Sequence, residues 1–494
     1  MKYLFILWIC LIQSAMWPVS AQYIMDKSRV QGKDIMPALH HSNSKKLIHT
    51  SNSLQWEFVK EHITEMEARH PYLDGVAASM NGDFSKDYLI LRGDRRWTDE
   101  DIQLETVSRI SWGKFTDNFV ILYFGDREDF GFFNDEKWSV INYNAGMISR
   151  MVKAGRLKGV FLDDENYFEP SHAWAYKPEW YPGKTAEQVR AKCRQRGYDF
   201  MKALQEEAGP LVVLDFIWFG DHWNNYDAST GRQLLWLAFK DGMLEAARNG
   251  DRFVEGNEMA YYYQETTMFT DMYNEFRLHR FGKYGAPDLQ EKYRTQVEIG
   301  HGIYPTLYYG GFRWPHTYSD EEHDLWWKHQ LYHALLTSDQ YVWIWSEQWN
   351  WFGDSATKEL TPNFSAIISE VKTRIQDHQG LPYDMMKQGD NWEGNLVLPA
   401  EKWRVNDEPA VSIVSPLNET ATGADLTIEV KSTGSAARVE FYVNSLFVGE
   451  DVSPPYSVQV TGLAKGTYSL FARSFGKNGG HLTSAPVIIN VIDK

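Results

Sequence analysis

Eight short apolar runs recur between residues 45 and 350, each followed by a longer stretch with helical spacing. They are "KLIHTS" (46–51), "DGVAASMN" (74–81), "NFVILYFG" (118–125), "LKGVFLDD" (157–164), "LVVLDFIWF" (211–219), "RFVEGNEM" (252–259), "GIYPTLYY" (302–309) and "QYVWIWSE" (340–347). Runs of this length, rich in β-branched and aromatic residues, predict buried strands. Between them, "SVINYNAGMISRMVKAG" spaces Ile141, Ala145, Ile148 and Val152 on one helical face. Thr185 with Gln188, and Ser319 with Glu322, have the spacing of capping boxes. Eight strands alternating with helices predict an α/β chain folded as a (β/α)8 TIM barrel. The alternative is an open doubly wound sheet. Neither GxGxxG nor GxxxxGK[ST] follows an early strand, which counts against a nucleotide-binding version of that fold.

After residue 400 the texture changes. "EKWRVNDEP" reads as a linker, and the rest as short alternating strands separated by turn residues. The expected organisation is a signal peptide over 1–21, a barrel catalytic domain over 22–402 and a small all-β sandwich over 408–494. At the N-terminus, "MKYLFILWICLIQSAMWPVSAQ" has one Lys, an apolar run and Val19-Ser20-Ala21, the pattern of a secretory signal cleaved after Ala21. The run is short for a membrane span and carries Pro18. Trp8 and Ile9 are too bulky to precede a lipidated Cys10. The expected location is therefore periplasmic or secreted, without membrane insertion. Cleavage would leave Cys193 as the one cysteine and no internal disulfide, so the folded parts must rest on their cores.

The formal net charge is −16, or −17 once Lys2 is removed, which argues against nucleic acid and against anionic membranes. Twenty Trp and 27 Tyr point instead towards sugars, whose C–H faces stack on flat rings.

Catalytic groups of a barrel lie at the C-terminal ends of its strands, and side chains alternate between lumen and helix layer. In "GVFLDDEN", Asp163 and Glu165 share the predicted lumen parity with Gly159 and Phe161, while Asp164 turns away or into a loop contact. In "YVWIWSE", Trp343, Trp345 and Glu347 form the lumen set, followed by Trp349 and Trp351. Asp215 takes lumen parity if Val212 and Leu214 face helices. Glu255 shares the lumen side with Asn257, and Glu258 lies at the mouth. "PTLYYGGFRWPH" adds Tyr308, Arg313, Trp314 and His316. A lone acid at a strand end is as often a cap or an ion-pair partner; acids at four strand ends with aromatics between them predict a functional site.

Other matches carry less. "DFG" (129–131) lacks the remaining kinase elements. "RGD" (92–94) reads as a loop. "EEHD" (321–324) with His329 sits in the first turn of a helix, where acids suit the dipole. His40 and His41 have no ligand spacing after them. Cys193 reads as core. No metal site and no cofactor are expected, and the sequence leaves the oligomeric state open.

The stretch "VEFYVNSLFVGEDVSPPYSVQVTGLAKGTYSLFARSFGKNGG" resembles the immunoglobulin-like modules appended to bacterial secreted glycosidases. With "FLDDEN", "WIWSEQW" and that module, the chain is similar to (β/α)8 glycoside hydrolases. The resemblance implies a secreted enzyme that cleaves a poly- or oligosaccharide with two carboxyl groups, one donating a proton and the other attacking carbon or activating water. Two sub-patterns differ. The largest clan of retaining β-glycosidases carries Asn-Glu after strand 4 and Glu on strand 7; here strand 4 ends Asp-Asp-Glu-Asn and "IYPTLYYGG" has no acid. α-Galactosidase-like barrels use Asp on strand 4 and an acid on strand 6, positions that Asp163 and Glu255 match, although the surrounding motif does not. The expected working pair is Asp163 or Glu165 with Glu255. Glu347 binds hydroxyls or takes one catalytic role. Asp164, Asp215, Trp218, Glu258, Tyr308, Trp343, Trp345, Trp349 and His316 complete the expected substrate contacts. The alternatives are a carbohydrate-binding or degenerate barrel, and a structural surface protein with the sandwich as its adhesive part.

Overall fold

The computed structural model describes residues 28–38, 45–80, 89–124, 129–164, 174, 176–216, 234–263, 265–305, 320–346, 349–353, 358–360, 363–387, 403–406, 409–434, 436–477 and 479–492. Parallel strands and helices alternate through the first part of the chain. The strands are β1 (Lys46–Gln55), β2 (Gly75–Ser79), β3 (Phe119–Tyr123), β4 (Gly159–Asp163), β5 (Val212–Asp215), β6 (Arg252–Glu255), β7 (Val297–Ile299), β8 (His301–Ile303) and β9 (Tyr341–Trp345). The helices are α1 (Trp56–Arg69), α2 (Leu104–Ser108), α3 (Asp135–Gly155), α4 (Ala186–Leu204), α5 (Leu234–Ala246), α6 (Thr266–Asn274), α7 (Phe281–Tyr284), α8 (Gln290–Gln296), α9 (Asp320–Thr337) and α10 (Phe364–Gln376). Helix α4 opens with the capping box: Thr185 accepts from the Gln188 amide and Gln188 accepts from the Thr185 amide.

The sheet runs β7-β6-β5-β4-β3-β2-β1-β9-β8. Only Gly300 separates β7 from β8. β7 pairs with β6 and β8 pairs with β9, so one chain segment joins both edges and brings the sheet into a nearly closed barrel. A Cβ at Gly300 would lie 2.7 Å from the Tyr341 carbonyl oxygen, so the split strand passes where only glycine fits. The sequence places this strand over 302–309, but it begins at Val297. Glu298, Gly300 and His301 interrupt the apolar pattern that marks the other strands. Residues 306–309 lie outside the described residues.

The lumen is filled by aromatic side chains. Trp343 stacks on Phe216 at 4.5 Å and meets Phe161 at 5.2 Å and Tyr261 at 5.3 Å. Its indole N–H donates to the Gly256 carbonyl at 2.8 Å. Below this plug, Glu298 is buried within 3.7 Å of Arg252. Cys193 is buried against α5, its thiol 2.9 Å from the Leu235 carbonyl, and burial pushes the thiol pKa up.

Two short parallel strands follow, β10 (Trp349–Asn350) and β11 (Lys358–Glu359). The stretch read as a linker instead supplies β13 (Trp403–Asn406), which pairs antiparallel with β12 (Asp384–Lys387). Its backbone is satisfied in a ladder rather than by solvent.

The remaining strands are β14 (Val411–Ser415), β15 (Thr420–Thr422), β16 (Leu426–Ser432), β17 (Arg438–Val443), β18 (Leu446–Asp451), β19 (Ser457–Val460), β20 (Gly466–Phe475), β21 (His481–Thr483) and β22 (Val487–Val491). They form a three-stranded sheet, β14-β16-β19, against a larger one, β15-β22-β20-β17-β18, with β21 on β20. Ile428, Val430, Phe441 and Leu470 fill the space between them.

The sandwich is fixed to the barrel by buried polar contacts. The Asn274 side chain, at the end of α6, donates to the Ser445 carbonyl at 2.9 Å and accepts from the Phe447 amide at 3.0 Å. Arg473 donates to Thr270 on α6 at 2.9 Å. The segment 28–38 runs along the sandwich, with Val30 bonded to Phe447 and Ala38 to Thr467. Among the described residues no helix is long and apolar enough to cross a membrane.

Candidate active site

The C-terminal ends of β4, β5, β6 and β9 converge over the Trp343 plug. Strand alternation fixes which acids face it. Phe161 packs on Trp343 inside the lumen, so Asp163, two residues on, faces the same way. Asp163 is buried, 2 % exposed, beside Tyr123 in the β3–β4 register. Phe216 extends β5 into the same layer, its amide donating to the Leu162 carbonyl at 3.1 Å. Trp345 meets the edge of Phe216 at 5.6 Å.

Glu258 follows β6 closely. It begins a 3-10 turn, Glu258–Tyr262, after β6. Its amide donates to the Phe216 carbonyl at 3.2 Å. Asp163 and Glu258 are both buried near the C-terminal ends of β4 and β6. In the same turn Tyr261 packs on Trp343, which fixes the turn against the plug.

Asp164 and Asp215 point away from the lumen. Lys240, on α5, lies 2.7 Å from Asp164 and 2.9 Å from Asp215, and all three side chains are buried. Trp236, one turn earlier on α5, covers the ammonium at 3.7 Å, and Trp174 packs edge-on over Trp236 at 4.9 Å. Burial, followed by repulsion from Asp215, raises the Asp164 pKa well above the usual carboxylate range, with Lys240 pulling the other way. The expectation that Asp215 faces the lumen is therefore corrected. Leu214 and Phe216 take that face, and Asp215 belongs to the sheet–helix layer.

Glu255 is placed differently from its expected parity as well. In register it lies beside Asp215. Gly256, the next residue, is the one that faces the plug: a Cβ there would sit 2.9 Å from the Trp343 indole nitrogen. Glu255 is fully buried and accepts from the Asn257 amide at 2.9 Å. Asn257 in turn meets His301 at 2.9 Å and Tyr263 at 3.1 Å, behind the sheet.

The aromatic residues divide in a similar way. Trp343 is 0 % exposed and serves as the plug, with no face open to a ligand. Trp349 packs on Phe364 of α10 at 5.3 Å and is buried there. Trp345, the last residue of β9, is buried as well, at 7 % exposed. Glu165, Glu347, Trp218, Tyr308 and His316 lie outside the described residues.

Lys240 was not singled out from the sequence. Its signal is one cation inside "LLWLAFKDGM", an otherwise apolar helix start. A lysine there needs a buried carboxylate.

Residues 409–472 match the family described as Bacterial Ig domain. No curated protein matches the sequence. Among solved structures, the fibronectin(III)-like modules of Clostridium thermocellum CbhA align at 31% identity over 17% of this chain and 94% of theirs, with a TM-score of 0.16. An endo-beta-1,4-mannanase from Thermotoga petrophila aligns at 8% identity over 93% of this chain and 100% of its own, with a TM-score of 0.39. A Bacteroides uniformis beta-glucuronidase aligns at 12% identity over 91% of this chain and 46% of its own, with a TM-score of 0.33.

Proposed function

We propose that this protein is an exported glycoside hydrolase that cleaves a poly- or oligosaccharide at the mouth of its barrel. The observation that carries the reading is the placement of Asp163. It is a buried carboxylate at the lumen-facing end of β4, and Glu258, whose backbone is bonded to Phe216, is buried after β6. Cleavage of a glycosidic bond needs two such groups. One carboxylic acid gives its proton to the bridging oxygen as the anomeric C–O bond breaks. The other, as carboxylate, attacks the anomeric carbon or removes a proton from the attacking water. Burial suits both roles, because a charge developing in the transition state is screened little there.

Asp163 and Glu258 are the proposed working pair. Glu165 and Glu347, which follow β4 and β9 in the sequence, are proposed to bind sugar hydroxyls or to share the proton transfer. Trp345, at the end of β9, is proposed to support a sugar ring, with Trp218, Tyr308 and His316 contributing further contacts. Lys240, Asp164 and Asp215 hold the ends of β4 and β5 without touching substrate. The opening residues support export, since they have the three parts of a secretory signal.

The test is release of reducing ends from a panel of polysaccharides and aryl glycosides by the chain from Gln22 onward. Asp163→Asn and Glu258→Gln should each lower turnover by roughly 10²–10⁴-fold, as expected when a proton donor or nucleophile is lost. Glycan binding without release would identify a binding protein instead. No affinity for any glycan would point to a structural role.

A further inference from the structure

The barrel and the sandwich meet over a second buried cluster, one that the proposed reaction does not use. His329 and His333 stand one helical turn apart on α9, so their side chains share a face. Asp384 opens β12 beside them. One ligating atom from each of the three lies within 4.8 Å of the others, and all three side chains are buried.

Their hydrogen bonds have the form of a ligand set with its supports. His333 Nε2 and Asp384 Oδ1 are 3.0 Å apart. Thr483 of β21 donates to Asp384 Oδ2 at 2.7 Å. Thr266 of α6 meets His329 Nε2 at 2.8 Å, which orients that ring. The Nδ1 atoms of His329 and His333 are buried with no hydrogen-bond partner among the described residues. The His329 Nδ1 atom, its other ring nitrogen being bonded to Thr266, is a buried orphan that is costly unless something takes its lone pair.

We propose that His329, His333 and Asp384 bind a divalent transition-metal ion, zinc by preference, that ties β12 to α9 beneath the sandwich strand β21. Two imidazoles and a carboxylate suit zinc, whereas calcium and magnesium take oxygen ligands. Two ligands at ~2.0–2.1 Å from a tetrahedral ion stand about 3.3 Å apart, so His333 and Asp384 need to open only slightly. His329 turns inward to complete the set. The threonines that hold His329 and Asp384 from behind do what outer-shell partners do in metal sites. His481, buried on β21 within electrostatic reach of Asp384, is a further imidazole beside the cluster. The nearest fixed cation, Arg473, reaches Asp384 through the Thr483 hydroxyl.

The test uses the full chain from Gln22 onward, stripped with a chelator and dialysed against zinc chloride. Elemental analysis should find one zinc per chain. A His329→Asn/His333→Asn double variant should lose it, and a His40→Asn/His41→Asn control should keep it. Cobalt substitution of the unmodified chain gives a second readout that does not depend on the variant folding. An intense visible band marks four- or five-coordinate cobalt in a protein site, whereas octahedral aqueous cobalt absorbs weakly. Less than one-tenth of an equivalent of zinc with no intense cobalt band would overturn the proposal, as would zinc retained by the His329/His333 variant. The reaction proposed for the barrel mouth stands or falls separately, since no residue is shared.

Discussion

Lys240 reaches from α5 to within 2.7 Å of Asp164 in a layer where both side chains are buried. That contact decides how the adjacent acids Asp163 and Asp164 divide. Asp164 is held to the helix layer, and Asp163 is thereby turned to the lumen. Replacing Lys240 with Met should therefore strongly destabilise the fold, because Asp164 and Asp215 would lose the cation they share. Breaking a buried ion pair by removing one partner costs about 3–5 kcal/mol. Urea unfolding followed by tryptophan fluorescence measures this; a loss below about 1 kcal/mol would show that the carboxylates do not need the ammonium.

The same triad gives a pH dependence. Burial and the neighbouring Asp215 raise Asp164 above its ordinary value, near 3.9. A carboxyl with a raised folded pKa stabilises the fold while it is protonated. That contribution is complete below about pH 4 and is lost as pH rises through the folded pKa. Asp164→Asn keeps the shape and cannot titrate. The unmodified protein should lose stability relative to this variant as pH rises above about 4. Stability curves that stay parallel from pH 4 to 8 would count against the raised value.

Lumen and helix layer could be told apart from the sequence on some strands and not on others, for one physical reason. Alternation assigns faces only when one face is polar or otherwise anchored. On β4 the run of acids supplies that anchor. On β5 and β6 both faces are apolar, since Leu214 and Val254 line the lumen while Val213 and Phe253 face helices. Strands buried on both sides carry no sign of direction, and the parity chosen for Asp215 and Glu255 was inverted. The strand count was legible because each run is continuous; β7 was displaced because Glu298 and Gly300 interrupt it. The contact between barrel and sandwich was not legible. Its residues, His333, Asp384 and Arg473 among them, are of types usually found in solvent.

Trp343 is a plug rather than a platform, and its removal should be felt in stability. Trp343→Ala would leave a cavity bounded by Phe161, Phe216 and Tyr261. Large aromatic truncations of this kind cost about 3–5 kcal/mol. A thermal melt measures the effect. An unchanged Tm with weakened glycan binding would restore Trp343 to a direct role in stacking.

Truncation before the sandwich should not leave a barrel of native stability. Deletion from residue 405 removes the partners of Asn274 and Thr270 and part of the cover over Asp384. It also cuts into β13 and leaves the 28–38 segment without the strands it follows. Buried polar groups left without partners cost roughly 1–3 kcal/mol each. Calorimetry of the truncated chain should show a Tm well below that of the full chain, or aggregation. Two independent transitions in the full chain, the first matching the truncated form, would show that the two parts fold separately.

The adjacent acids of β4 provide the sharpest separation of chemistry from support. Asp163 faces the plug, and Asp164 is enclosed with Lys240. Asp163→Asn removes a proton-transferring or nucleophilic group and leaves its volume. On the proposed reaction it should lower kcat by roughly 10³-fold, about 4 kcal/mol of barrier at about 1.4 kcal/mol per tenfold. Its melt should move less than that of Lys240→Met, which breaks the buried pair with Asp164 and Asp215. Asp164→Asn should do the reverse. Its amide can still accept from Lys240, so turnover should fall less than about tenfold, while the pH dependence of stability changes. Kinetics and melts on both variants, side by side, read four numbers from two substitutions. Equal small losses of kcat at both positions would move the chemistry from β4 to Glu258, Glu165 and Glu347. A large loss at Asp164 alone would mean that the triad is part of the reaction.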